Sequence, residues 1–409
     1  MHAGYSIVDE LTQLSKQSGL KTWRLAGKEL LPVVQGGMGV GVSAGGLAGA
    51  VAGLGAVGTI SSVDLRRLHP DLMAQTGHLD KELDAGDRIN AANLVALDRE
   101  IQKAKDIASG HGLVAVNIMK ALTSYEAYVS QSVTSGADAV VVGAGLPLDL
   151  PDLVVKNFGV ALIPILSDAR GVQLVVKKWE KKGRLPDAIV LEHPGLAGGH
   201  LGVAKLEDLH DERFNFDVAV PQILEFFRTM GIEGQIPLIA AGGIHCMEDI
   251  QKLQNLGVTA VQLGTAFATT QECDAAMGFK QVLAKAKPSD LVEFISVAGL
   301  PARAVLTPWL KKYLRLEDKL KQVAHIKNKC TMSFDCLKHC GLRDGNAGVG
   351  QFCIDKQLAH ALKGELDKGL FFRGAGILPF GHEILPVKAL MQWLLGGVRP
   401  LLAHGAIDV

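Results

Sequence analysis

Short apolar runs rich in β-branched residues recur along the first two thirds of the chain. Each is followed by a stretch with helical spacing. The runs are Pro32–Gln35, Ala56–Ile60, Leu113–Asn117, Ala139–Val142, Ala161–Leu166, Ala188–Leu191, Pro237–Ala240 and Ala260–Leu263. Among the intervening segments, Ser124–Ser135 is amphipathic, Gly171–Lys182 is basic on one face, and Glu248–Leu256 sits between two runs. Eight strand–helix units predict an α/β chain folded as a (β/α)8 TIM barrel. A doubly wound open sheet is the alternative, because a strand count does not establish closure.

Two insertions interrupt the alternation: a polar, charged one at Leu65–Arg99 and a motif-rich one at His193–Asp217. After about Pro288 the alternation ends. The expected organisation is therefore a barrel over residues 1–288 and a C-terminal extension or small domain over 289–409. The extension holds a basic helix-like stretch, Trp309–Lys329, a cysteine segment over 330–353, and an apolar helix around Val387–Leu395. Val40–Ile60 lacks charge and has Gly45, Gly49 and Gly53 at four-residue spacing, as in packed membrane helices. Gly41, Gly55 and Gly58 break it up, so a buried loop, helix and strand is the preferred reading, with no membrane span.

The chain has 409 residues, enough for one large core and an appended segment. Lys+Arg and Asp+Glu are both 42, a balance that argues against nucleic acid as the main partner. Asp9, Glu10 and Lys16 interrupt any secretory signal, which predicts a cytoplasmic location. Clustered cysteines in that compartment are expected to bind metal in preference to forming disulfides.

Several strand ends carry candidate chemistry. Gln35-Gly36-Gly37-Met38-Gly39 ends the first strand, where glycines let the backbone approach a flat ligand; a merely tight turn is the alternative. Gly242-Gly243 follows the seventh strand and Gly264-Thr265 the eighth. In many barrels these two loops, with a short helix N-terminus, bind a phosphate. After the sixth strand, His200 follows Gly198-Gly199, and an imidazole at a barrel mouth can exchange a proton near neutral pH. His193 is the weaker candidate. Asn117 and Ser167-Asp168 end strands, where they either reach a ligand or cap the next helix.

Cys330, Cys336, Cys340 and Cys353 have five, three and twelve residues between successive members. Zinc sites usually show two close pairs, which are absent. Four-thiolate iron–sulfur clusters tolerate irregular spacing, and Lys327, Lys329 and Lys338 would offset their negative charge.

PVVQGGMGVGVS, LEHPGLAGGHLG, IPLIAAGGIHCMEDI and AVQLGTAFATTQECDA resemble the flavin-dependent nitronate monooxygenase (2-nitropropane dioxygenase-like) family, which also includes flavin-dependent enoyl-acyl carrier protein reductases. The resemblance runs from Pro32 to Asp274 and implies a TIM barrel with non-covalent FMN. It puts the family histidine at His200, the ring residues at Gln35, Gly36, Gly37, Met38 and Asn117, and the phosphate residues at Gly242, Gly243, Gly264 and Thr265, with Gly198 and Gly199 nearby. The family's acid directly precedes the Ala-Gly-Gly-His motif, whereas Glu192 stands further upstream here.

LPARAVLTPWLKK, the four cysteines and KGLFFRGAGILP resemble a narrower bacterial branch of bifunctional acyl carrier protein (acyl-ACP) dehydrogenase/isomerases with FMN and a [4Fe-4S] cluster. That resemblance implies cluster ligation by Cys330, Cys336, Cys340 and Cys353. It implies oxidation of a medium-chain, decanoyl-like acyl-ACP to the trans-2-enoyl product, isomerised to cis-3-enoyl, in unsaturated fatty acid biosynthesis. Dioxygen or another acceptor would take the electrons. Nitronate monooxygenase and FMN-dependent enoyl-ACP reductase are the alternatives. A homodimer stays open as the assembly. The basic runs at Lys311, Lys312, Arg315, Lys319 and Lys321 and at Lys177–Lys182 are read as solvated helix faces ahead of a docking face for the acidic carrier.

Overall fold

The computed structural model describes residues 6–79, 85–154, 159–326, 330 and 336–400. A hairpin of β1 (Trp23–Leu25) and β2 (Lys28–Leu30) precedes β3 (Val33–Gln35), β4 (Val57–Ser61), β5 (Leu113–Met119), β6 (Ala139–Gly143), β7 (Ala161–Leu166) and β8 (Ile189–Glu192). A two-residue strand, β9 (Gly199–His200), separates these from β10 (Leu238–Ala241) and β11 (Ala260–Leu263). The last two strands are β12 (Leu291–Ile295) and β13 (Pro301–Val305). Strands β3 to β8, β10 and β11 form a closed parallel barrel, with β11 beside β3 and β10 beside β8. This is the predicted TIM barrel, and closure removes the open-sheet alternative.

The strands are nearly all apolar because both faces are buried. Alternate residues divide between two cores. Val34, Val57, Ala115, Val141, Ile163, Val190 and Ile239 fill the barrel interior. Val33, Ile60, Val114, Val140, Leu162, Leu191 and Val261 face the helical ring. The interior is rich in alanine, as a narrow barrel lumen requires. Trp23, Leu25 and Leu30 of the hairpin pack with the lower interior layer and plug the N-terminal end. The C-terminal ends of the strands are left open as the mouth.

The apolar Val40–Ile60 segment resolves into a loop, the short helix Gly45–Gly53 and β4. Among the described residues no helix is long and apolar enough to cross a membrane. The insertion at Leu65–Arg99 is less polar in place than in sequence. Its Arg66 is 2% exposed, bonded to Asp64 at 2.8 Å and to Thr76 at 2.9 Å, and Glu100 receives Gly45 N–H at 2.7 Å. Helix Ala85–Ala108 carries that network against helix Gly45–Gly53.

The C-terminal stretch folds back over the mouth. β12 and β13 pair antiparallel, and β13 pairs with β9, setting Ala302 opposite His200 and Arg303 opposite Gly199. The final helix, Val387–Gly396, packs against Ile7–Gln17 and Met247–Leu256, and Trp393 donates to the His245 carbonyl at 2.7 Å.

Candidate active site

A cavity of about 340 Å³ opens at the barrel mouth. Gly36, Gly37, Met38 and Asn117 line one part; Gly242, Gly243, Gly264 and Thr265 line another; Gly198, Gly199 and His200 lie on its wall. The loops after five separate strands thus meet where they were expected to. The size lies in the range of small-ligand sites. Gly37 is required by close approach, since a Cβ there would stand 2.3 Å from Asn117 Cβ. Gly198 is required in the same way, because its Cβ would stand 2.4 Å from the Arg373 carbonyl carbon.

Gln35 stands apart from the other ring candidates. It is fully buried, its amide bridging β3 to the Thr59 main chain, receiving N–H at 2.9 Å and donating to the carbonyl at 3.0 Å. It fixes the strand end but does not line the cavity. Gln262 does line it, and packs 3.2 Å from where a Gly36 Cβ would be. His193 has both ring nitrogens engaged, with Asn215 at 3.2 Å and Gly195 N–H at 3.1 Å. Asp168 caps helix Ala169–Glu180 through Gly171 N–H at 2.7 Å. Ser167 donates to the Gly202 carbonyl at 2.9 Å.

His200 is held from the far end of the chain. Its Nε2 lies 3.0 Å from Ser296 Oγ, and its ring tilts over Phe372 with centroids 5.7 Å apart. Ser296 is fully buried. Arg303 is also buried; it donates to the Ala197 carbonyl at 2.5 Å and pairs with Glu293 at 2.6 Å, which ties down the turn ahead of the histidine. Ser296 lies in no motif, and Arg303 and Phe372 belong to the matching runs LPARAVLTPWLKK and KGLFFRGAGILP, where neither was given a role. The β9–β13 pairing, with the bridge from Ala304 to Phe372, brings them to the mouth.

Burial pulls the His200 imidazolium down to about 4. Burial also pushes the Glu192 carboxyl up to about 7. Both side chains line the cavity and are half-buried. Between pH 4 and 6.5 the unfolded chain binds a proton at His200 that the folded chain refuses, so acidification through that window removes stability, by at most about 3 kcal/mol. Glu192 works oppositely: its contribution is full below about 4.5 and is lost as pH rises through 7. Relative to wild type, H200Q should flatten the acid-side decline in melting temperature between pH 4.5 and 6.5, and E192Q should steepen it. Parallel melting curves for all three proteins would contradict both assignments.

The cysteine segment borders the same cavity. Cys336 and Leu337 line it, Leu337 bridges to Leu122, and Lys338 N–H bonds the Ala121 carbonyl at 2.9 Å. None of the four cysteines is in a disulfide among the described residues. Burial first, then Asp355 and the other three sulfurs, push the Cys336 thiol well above its ordinary range. Burial and the same neighbourhood push Cys353 up to about 12. Cys336, Cys340 and Cys353 are thus all held toward the neutral thiol, with Cys330 in the same neighbourhood. Among the described residues no three His, Cys, Asp or Glu side chains form a group that could hold a metal ion, so the ready-made four-sulfur site expected from the sequence is not displayed. Lys327 and Lys329 lie outside the described residues.

A family profile for nitronate monooxygenase matches residues 24–397. A probable nitronate monooxygenase of Bacillus subtilis is 27% identical over 300 residues, covering 70% of this chain and 80% of that one. A counterpart in Staphylococcus saprophyticus is 26% identical over 215 residues, 49% of this chain and 58% of the relative. The chain thus spans little more than half the length of the Staphylococcus relatives it matches. Among solved structures, FabK from Thermotoga maritima superposes with a TM-score of 0.60 at 22% identity over 94% of each chain. Nitroalkane oxidase from Streptomyces ansochromogenes gives 0.60 at 19% identity, covering 89% of this chain and 94% of that one. At such identities these likenesses bear on the barrel fold alone. The profile spans nearly all of the barrel and the C-terminal stretch, and the chain belongs to the nitronate monooxygenase family of oxidoreductases.

Proposed function

We propose that this chain is an FMN-dependent oxidoreductase in which His200 moves a proton at a carbon beside an electron-withdrawing group. The observation that carries this is one continuous cavity shared by a glycine floor, a pair of phosphate-type loops and a histidine kept neutral. Gly36, Gly37, Met38 and Asn117 would hold the flavin ring. Gly242, Gly243, Gly264 and Thr265, with Gly198 and Gly199, would hold its phosphate. When bound, FMN supplies a two-electron acceptor. An imidazole neutral above about pH 4 is available to accept a proton across the physiological range. The Phe372 ring beside it would limit water at that transfer.

Nitronates and nitroalkanes are the first substrate class, supported by the family and by the Bacillus subtilis relative. An acyl-ACP thioester, oxidised to trans-2-enoyl and isomerised to cis-3-enoyl, is the second, favoured by a separate observation: Cys336 lies on the wall of the cavity, with three more thiols acting on it. Nitronate oxidation leaves that quartet without a role. By the resemblance, Cys330, Cys336, Cys340 and Cys353 would be the ligands of a [4Fe-4S] cluster, whose four thiolates tolerate irregular spacing. When bound, such a cluster supplies one-electron transfer.

Anaerobic mixing with propane-2-nitronate, decanoyl-ACP or NADH, following flavin absorbance, tests the proposal. Bleaching by the nitronate alone selects the first class. Bleaching by the thioester, with trans-2- and cis-3-enoyl products, selects the second. Bleaching by NADH selects the reductive direction, and bleaching by none of the three overturns the proposal.

A further inference from the structure

We propose that Arg373 is the cation of the cofactor-phosphate subsite, closing it from the C-terminal stretch. The inference rests on the flavin reading above and adds a residue more than a hundred positions beyond the phosphate-type loops.

Three arginines are buried among the described residues: Arg66, Arg303 and Arg373. Arg66 holds Asp64 at 2.8 Å and Arg303 holds Glu293 at 2.6 Å. Arg373, 3% exposed, has no carboxylate at ion-pair distance among the described residues; Asp290 acts on it only from further away. A buried guanidinium without a counter-charge is costly, so such groups are normally completed by an anion.

Donor bookkeeping shows where that anion belongs. A guanidinium has five N–H donors in a fixed fork. Nε donates to the Leu283 carbonyl at 3.1 Å, and Nη1 donates to the Gly374 and Gly376 carbonyls at 2.8 and 3.2 Å. The Nη2 pair has no hydrogen-bond partner among the described residues. Arg373 lines the cavity, and Nη2 is the part of its fork with no protein acceptor among the described residues.

The surrounding backbone places this fork among the glycine loops. Gly374 N–H donates to Thr265 Oγ1 at 3.0 Å, leaving the threonine hydroxyl hydrogen free to donate. Ala375 N–H donates to the Leu196 carbonyl at 3.1 Å, and Gly198 packs directly on the Arg373 main chain. A phosphomonoester, carrying close to two negative charges near neutral pH, matches a fork that the fold leaves half used.

The test compares FMN with riboflavin, which lacks the phosphate, on the full-length chain stripped of flavin. Affinity is read by flavin fluorescence quenching. R373M should weaken FMN binding by about 10- to 100-fold, the range for a lost charge-assisted hydrogen bond, and leave riboflavin within about twofold. R373K, which keeps charge without the fork, should recover part of the FMN preference. Riboflavin binding also reports that each variant is folded. Equal losses for both flavins would make Arg373 a backbone strut and overturn the proposal, as would an unchanged FMN affinity. Wild-type protein that takes up neither flavin would instead overturn the flavin reading itself, and this inference with it.

Discussion

Replacing His200 with glutamine is expected to slow oxidation of a neutral carbon acid by about 10²- to 10⁴-fold, the span of positioned acid–base catalysis, with flavin content unchanged. Glutamine carries its amide about as far as Nε2 and can still hydrogen-bond Ser296, which is fully buried with its hydroxyl 3.0 Å from that ring nitrogen. The substitution therefore removes a proton acceptor and leaves the mouth packed. Comparing 2-nitropropane with its preformed nitronate isolates the proton step. The nitronate has already lost its proton, so its rate should fall by less than about tenfold while the neutral form takes the full loss. Equal losses on both substrates would show that His200 orients ligands without accepting protons. The wild-type acid limb should lie near pH 4 for the free enzyme, because burial lowers the imidazolium to about that value.

Much of the architecture could be read from the chain because barrel strands write themselves locally. Each of the eight predicted strands is found within two residues of its expected ends, and the glycine turns that follow them converge on one cavity. His200 was accessible for the same reason: it sits in a local motif at a strand-linked turn. What holds it was not accessible. Ser296 and Arg303 arrive from about a hundred residues later, through a two-residue strand, β9, too short to show any periodicity. Arg373 was visible only as one letter of a familiar-looking run, since the absence of a carboxylate beside it is a property of the folded neighbourhood. Arg66 shows the opposite error. In sequence it belongs to a charged insertion, but in place it lies under helix Ala85–Ala108 in a hydrogen-bonded network. Charge predicts exposure only where no partner is brought close, and partners come from tertiary structure.

Serine at Cys336 is expected to divide the two substrate classes. Anaerobically isolated wild-type protein should contain iron and acid-labile sulfide, and C336S should retain background levels of both, because removing one of four thiolates exposes the remaining ligands to exchange. Serine is close to cysteine in volume, and Cys336 borders the cavity without taking part in the glycine floor, so FMN content should hold. Acyl-ACP oxidation should then fall by at least about tenfold, the scale of damage when a metal site loses its support, while nitronate oxidation stays within about twofold. The asymmetry follows from position. The quartet meets the cavity at Cys336 and Leu337, beyond the loop of Leu122, whereas His200 is held by β13 and Ser296. A wild-type protein free of iron after anaerobic isolation would remove the cluster and the acyl-ACP reading with it. The raised thiols of Cys336, Cys340 and Cys353 would then be plain cysteines beside a nitronate-oxidising site. Iron present, but with both activities intact in C336S, would leave the cluster a structural clasp between the cysteine segment and the loop after β5.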